Sequence, residues 1–313
     1  MKVAVLGHNG HVGIALVQAF ADAGHEVTGF GRSNKRRDPR VKFVKGDADS
    51  VSDIRAAIAG ADIVVNALNL RYDQWDRGRL EAQVARVIEA MGTSGQTLMF
   101  PGNIYNYAAK DGAIGPNAPQ DPATPRGAIR VRAEALIEGA AHRGDLKAII
   151  VRAGDFFGPD CTGDWFEQAI LREASKGRTA QIGRPGTGHT WAYLPDLARA
   201  FVRVAEARET LGAFERFHFS GHFVTPEEMT ATVTAAAPIP LKVTAFPWLV
   251  LHLMGLANPV IREVLKMRYL WENAMALEDK RLDALLGPDF GTAFEDAVAA
   301  ATARYFPGMK QAA

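Results

Sequence analysis

The sequence predicts an α/β fold: a doubly wound parallel sheet, followed by a smaller mixed, mostly helical C-terminal lobe. Two observations carry that expectation. Over residues 1–150, short apolar runs alternate with stretches that place apolar residues on one helical face. A glycine triplet, Gly7, Gly10 and Gly13, separates the first run from the first helix.

Lys2–Leu6 is a short run, apolar from Val3 on and ending in a glycine turn, the pattern of a strand buried on both faces. His11–Ala23 aligns Val12, Leu16, Ala19, Phe20 and Ala23 on one helical face. Val27–Phe30 and Val41–Val44 read as the second and third strands. Asp53–Ala59 reads as a helix leading through Gly60 to a fourth strand, Ile63–Val65. Leu80–Met91 is helical, Thr97–Phe100 a fifth strand, and Gly112 to Pro125 a loop rich in proline and glycine. A helix from Gly127 to His142 and a sixth strand, Ala148–Val151, complete this half. Beyond Arg152 the pattern loosens. Trp165–Lys176 reads as helix, Pro195–Glu206 as a clear helix, Phe214–Phe219 as a further strand, and Phe246 to Tyr305 as mostly helical. Thr225, Pro226 and Glu228 spell a helix start with a capping box. The expected division is 1–158 for a dinucleotide-binding domain and 159–313 for a substrate lobe, with segments of the second part returning to the first.

The loop Gly7-His8-Asn9-Gly10-His11-Val12-Gly13 sits on a strand–turn–helix unit. Glycine there permits a tight turn, close backbone approach to a pyrophosphate, and close packing of helix on strand, while the helix N-terminus offers unpaired N–H groups. The residue closing the second strand discriminates between the two nicotinamide coenzymes. A carboxylate would accept from a ribose hydroxyl, whereas arginine pairs with a 2′-phosphate. The chain reads Gly31-Arg32-Ser33-Asn34-Lys35-Arg36, with no carboxylate before Asp38. The expected cofactor is NADP(H), held by Gly7, Asn9, Gly10, His11, Val12, Gly13, Arg32 and Ser33. Asp47 after the third strand stands where the adenine amino group would lie, and Ala67, Leu68 and Asn69 follow the fourth strand on the nicotinamide side. Pro101, Arg130 and Ala153 complete the expected cofactor set.

With Gly46-Asp47, the run Arg152-Ala153-Gly154-Asp155-Phe156-Phe157-Gly158-Pro159 and Tyr193-Leu194-Pro195-Asp196, this loop resembles the extended short-chain dehydrogenase/reductase family, in its NAD-dependent epimerase/dehydratase branch. The resemblance implies a Rossmann fold, a C-terminal substrate lobe and a cofactor lying across the strand ends. The usual catalytic set of that family, a serine or threonine after the fifth strand and a tyrosine four residues before a lysine, is missing. Aligning Glu134 with the family's glutamate puts Arg126 at the tyrosine position and Arg130 at the lysine position. Two readings follow. In one, the chain is an NADP(H)-dependent oxidoreductase acting on a small carbonyl or alcohol, with Tyr105 as proton donor, Arg130 stabilising its phenolate, and Arg126 as a further anchor. In the other it binds NADP(H) without turnover, as the NmrA-like branch does. A nucleotide-sugar epimerase ranks third, because it would need the missing tyrosine and lysine.

Composition narrows the partners. The chain has 313 residues, 48% hydrophobic and 23% charged, with 36 basic against 35 acidic side chains. That balance argues against a nucleic-acid binder. One cysteine, Cys161, excludes an internal disulfide and fits a reducing compartment. The apolar run at Met1–Gly7 is too short for a signal peptide, and Ala245 to Ala257 falls short of the roughly 20 residues a bilayer span needs. The expectation is a cytoplasmic monomer or homodimer with a small-molecule substrate and no membrane partner. Trp165, His189, Trp191, Tyr193, Trp248 and His252 are candidates for an aromatic pocket wall, which would suit a hydrophobic or aromatic substrate. His218 and His222 sit on a strand and its turn, which argues against zinc, and Asp196 reads as a helix-start carboxylate.

Overall fold

The computed structural model describes residues 1–71, 74–160 and 163–307, so Cys161 lies outside the described residues. The strands in chain order are β1 (Lys2–Leu6), β2 (Glu26–Gly31), β3 (Val41–Lys45), β4 (Ile63–Asn66), β5 (Thr97–Asn103), β6 (Gly112–Ile114) and β7 (Lys147–Ala153). There follow β8 (Asp155–Phe157), β9 (Arg178–Gln181), β10 (His189–Tyr193), β11 (Phe214–His218), β12 (His222–Val224), β13 (Lys242–Ala245) and β14 (Met275–Leu277). Seven of them form one sheet in the order β11-β7-β5-β4-β1-β2-β3, and every pairing in it is parallel.

Both faces of this sheet are covered, which explains why its strands read as unbroken apolar runs. Val3 and Val5 of β1 face one layer of core with Leu16, Phe20, Phe201 and Phe217. Ala4 and Leu6 face the other, with Phe30, Ile54, Val84, Leu98 and Ile129. The first layer comes from helices α1 (His11–Asp22), α5 (Leu194–Glu206) and α9 (Lys280–Leu286). The second comes from α2 (Val51–Ile58), α3 (Arg79–Met91) and α4 (Pro125–His142). Each fully buried side chain of this size contributes about 1.5–3 kcal/mol. The strand expected at Phe214–Phe219 thus joins the main sheet at its edge, beside β7.

A third core, built on Phe157, Phe166, Trp191, Met229, Trp271 and Val298, fills the space over the strand ends. It takes in α6 (Pro226–Ala236) and α10 (Phe294–Ala303); α7 (Trp248–Ala257) packs against it through Trp248 but otherwise lies on the surface with α8 (Pro259–Leu265). The capping box of α6 forms as read: Glu228 N donates to Thr225 Oγ1 and Thr225 N donates to Glu228 Oε2. Two local expectations change. The stretch 165–176 is not one helix but a wide turn at Phe166–Ile170, closed by Leu171 N donating to Phe166 O, and a separate short turn at Ala174–Lys176. Widening the turn lets Phe166 reach Phe157 and Trp191. The loop expected at 112–125 opens with β6, which pairs in parallel with β14, a long-range partner that local sequence does not announce. No described helix is long and apolar enough to cross a membrane.

Candidate functional site

The order of strands reverses at β1, with β4 on one side and β2 on the other, and the crevice at their carboxyl ends is the place such sheets bind ligands. The glycine loop lies in that crevice. Gly7 has φ +83°, and a Cβ there would stand 2.7 Å from Ala67 O; at Gly13 a Cβ would stand 2.2 Å from Gly7 O. Helix α1 is therefore set down directly on the end of β1, at a distance only glycine allows. Its N-cap is Gly10, whose residue type provides no capping side chain, so the first N–H groups of α1 remain for an anion. The cradle fits a pyrophosphate.

Asn9 ties this loop to the end of β2: its Nδ2 donates to Ser33 O at 2.6 Å, and Lys35 N donates to its Oδ1 at 3.3 Å. Arg32 and Ser33, just after β2, are exposed. Arg36 is ion-paired to Asp160 at 2.5 Å, while Arg32 has no ion-pair partner among the described residues. Asp47 is exposed and tied into its own turn, its Oδ1 accepting from Asp49 N and its N–H donating to Asp53 Oδ2 at 2.9 Å. His11, the first residue of α1, reaches across to Asp164 at 2.6 Å. Burial works against the charged imidazole, but the hydrogen bond and charge of Asp164 outweigh it, and its pKa is raised.

A cavity of about 760 Å³ continues from the glycine loop. It brings together His11, Val12, Ala67, Leu68, Asn69, Pro101, Tyr105 and Arg130 from the residues singled out in the sequence. Arg130 is 6% exposed. Its Nη2 donates to Pro101 O at 2.6 Å, its guanidinium lies 4.7 Å from the Phe100 ring and 5.8 Å from the Trp75 ring, and its Nε has no hydrogen-bond partner among the described residues. Burial pushes its pKa down to about 10, against the opposing charge of Glu134. Tyr105 stands within electrostatic range of it. The turn carrying Tyr105 is capped by Asn103, whose Oδ1 accepts from Tyr105 N at 3.1 Å. That turn is pressed against α4, where a Cβ on Gly127 would come within 2.1 Å of Tyr105 O.

Arg126 does not join this group. It is 1% exposed and pairs with Asp76 at 3.2 Å and Glu263 at 3.5 Å, so it fastens α4 to α8 rather than facing the cavity. Ala153 is fully buried at the end of β7. Asp196 accepts from Thr292 N and Oγ1 and from Arg199, fixing the start of α5. Of the aromatic candidates, Trp165 lines the cavity, while Trp191 is buried in the third core and His252 hydrogen-bonds to Trp248 O within its own helix. Residues that sequence reading did not select also line the cavity, among them Trp75, Phe100, Asn103, Asp155 and Met267. Asp155 could have been found: it directly follows Ala153-Gly154 at a strand end. Trp75 and Met267 arrive from an irregular segment and a short helical turn, where no periodicity points to them.

The comparisons agree with this geometry. The model of the NAD-dependent epimerase/dehydratase family matches residues 3–218. A 3-diazoavenalumate denitrifying reductase from a Streptomyces species is 30% identical over 174 residues, covering 51% of this chain and 57% of that relative, so the match spans a little over half of its length. Among solved structures, UDP-glucuronic acid 4-epimerase from Bacillus cereus in complex with NAD superposes with a TM-score of 0.77 at 14% identity, covering 97% of this chain and 98% of that one. The Bordetella bronchiseptica enzyme WbmH in complex with NAD+ gives 0.73 at 20% identity, covering 99% of each. At these identities the likeness is one of fold. With a family model spanning more than half its length and a glycine cradle at the switch point of its sheet, the chain belongs to the NAD-dependent epimerase/dehydratase family.

Proposed function

We propose that this protein is an NADP(H)-dependent oxidoreductase acting on a small carbonyl or alcohol substrate with an aromatic or otherwise apolar body. One observation carries the reading: a buried guanidinium, Arg130, stands within range of a cavity-lining phenol, Tyr105, in a pocket continuous with the glycine loop. Gly7, Gly10, Val12 and Gly13 would hold the pyrophosphate, Arg32 and Ser33 the 2′-phosphate, and Ala67, Leu68 and Asn69 the nicotinamide side. A bound nicotinamide supplies or accepts hydride. The chain's own residues do the rest: aromatic walls orient the substrate and exclude water, and the Tyr105 hydroxyl gives or takes the proton at the substrate oxygen. Arg130 fixes a positive charge beside that hydroxyl at the lysine position of the family pattern. The denitrifying reductase at 30% identity supports reductive chemistry. The absence of the tyrosine–lysine pair argues against a nucleotide-sugar epimerase.

A second reading, NADP(H) binding without turnover, draws on Arg126, which at the family's tyrosine position is committed to ion pairs. NADPH oxidation across a panel of aromatic aldehydes, ketones and enones separates the two. Turnover is expected with at least one member, and Tyr105→Phe is expected to lower that rate at least tenfold. An unchanged rate in the variant would remove Tyr105 from the proton-donor role, and silence across the panel would favour the sensor.

A further inference from the structure

Asp155, at the start of β8, lines the cavity and takes no part in the assignments above. Its Oδ2 is 2.8 Å from His189 Nε2, with the two side chains 12% and 8% exposed. The other ring nitrogen, Nδ1, lies 3.0 Å from Leu270 O. A carbonyl oxygen only accepts, so Nδ1 carries the hydrogen of that bond. The contact between Nε2 and Oδ2 then needs one proton between them. Trp271 stacks on the imidazole at 3.9 Å with the planes 17° apart, which fixes the ring in this orientation.

Wherever that one proton resides, the second carboxylate oxygen, Oδ1, keeps its lone pairs. It has no hydrogen-bond partner among the described residues and is not among the buried atoms sealed from solvent. The Tyr269 hydroxyl, buried and without a hydrogen-bond partner among the described residues, lies within electrostatic range of the same carboxyl group. Asp155 thus presents a fixed hydrogen-bond acceptor to a cavity whose walls include the rings of Phe100, Tyr105, Phe156 and Trp165. The lining mixes these rings with polar groups, among them Asn69, Asn103 and Arg130, and in such a pocket a few placed polar groups decide which ligand fits.

We propose that Asp155 is the polar anchor of the substrate site, its Oδ1 accepting a hydrogen bond from a hydroxyl or amino group borne by an aromatic substrate. His189 is a positioning residue, holding the carboxyl group through Oδ2 so that Oδ1 faces the cavity. The inference rests on the oxidoreductase reading in taking this cavity as the substrate's place. It narrows the substrate class to aromatic compounds that carry a donor group as well as the reacting carbon.

The test compares two probes with one ring system, 2-naphthol and its methyl ether 2-methoxynaphthalene. Their binding to the full-length protein, with and without saturating NADP+, is followed by quenching of tryptophan fluorescence. In the wild type 2-naphthol is expected to bind roughly tenfold tighter than the ether, the factor for one hydrogen bond to a carboxylate. In Asp155→Leu the ratio should fall to about one with the ether's affinity kept. Asp155→Asn should retain a preference, because its amide can donate to Nε2 and leave its carbonyl oxygen for the cavity. Should Asp155→Leu fail to fold, Asp155→Ala carries the same comparison. Equal binding of the two probes by the wild type, or a ratio that survives in the leucine or alanine variant, overturns the proposal. A protein that discriminates the probes but shows no melting shift with either coenzyme keeps the anchor and loses the oxidoreductase reading.

Discussion

Arg152→Met is expected to destabilise the protein by about 3–5 kcal/mol, the range for removing one partner of a buried ion pair. Glu134 and Arg152 are both sealed, with 1% and 0% of their side chains exposed. Arg152 Nη2 donates to Glu134 Oε2 at 2.6 Å and Nη1 to Oε1 at 3.2 Å. Nη1 also donates to the carbonyl oxygen of Asn103, and the guanidinium lies 5.1 Å from the Tyr107 ring. Methionine has comparable volume and no donors, so the buried Glu134 carboxylate loses its hydrogen-bonded cation and keeps only the more distant charge of Arg130. The cost comes from that stranded charge rather than from a lost attraction, so the double variant Glu134→Leu with Arg152→Met should recover most of the loss. Urea unfolding at neutral pH measures both. A loss under about 1 kcal/mol in the single variant, or a double variant no better than the single, contradicts this account.

The second large effect is on acid stability. His218 closes β11 with Nδ1 hydrogen-bonded to Ile114 O at 2.8 Å and Nε2 to the Tyr107 hydroxyl at 2.9 Å. Nδ1 therefore donates, Nε2 accepts, and the ring is neutral. Burial first, and the charge of Arg152 second, lower its pKa to about 3 from 6.5. The unfolded chain takes up this proton near pH 6.5 and the folded chain does not. Stability is therefore unaffected above that range and falls as pH drops from about 6.5 to 3, by about 1.4 kcal/mol per unit from this one group. His218→Gln should flatten the pH dependence of unfolding free energy by that slope. His11 acts in the opposite sense. Its raised pKa gives stability that is complete below the ordinary imidazole value and is lost as pH rises through the folded value. That pair is a quarter exposed, so its contribution is smaller. A His218→Gln protein with the wild-type slope between pH 4 and 6 would show that this imidazole is not the group held neutral.

The parts of this molecule that were legible in advance are those governed by short-range rules. β1 reads as a doubly buried strand because Val3 and Val5 face one helical layer and Ala4 and Leu6 the other, leaving no polar position after Lys2. The capping box at Thr225 and Glu228 is contained in four consecutive residues. The glycine spacing marked the crevice because Gly7 and Gly13 answer to steric contacts with Ala67 and with each other, and no other residue type fits. The remainder depends on distant partners. Whether Arg126 or Arg130 faces the cavity is decided by Asp76 and Glu263, which draw Arg126 into ion pairs, and by Pro101, Phe100 and Trp75, which hold Arg130 at the wall. The acceptor at Asp155 is set by His189, 34 residues away, and the short strand at Gly112–Ile114 by Met275–Leu277. None of these pairings leaves a periodic trace in the sequence.

In the proposed function the glycine cradle holds NADP(H) together with the Arg32 guanidinium, which has no ion-pair partner among the described residues. Calorimetric titration of wild-type protein and Arg32→Glu with NADPH and with NADH addresses it directly. The account predicts that the wild type binds NADPH at least tenfold tighter than NADH, and that the charge reversal removes this preference while leaving NADH affinity within about threefold. No heat with either coenzyme, or equal losses for both in the variant, would contradict it.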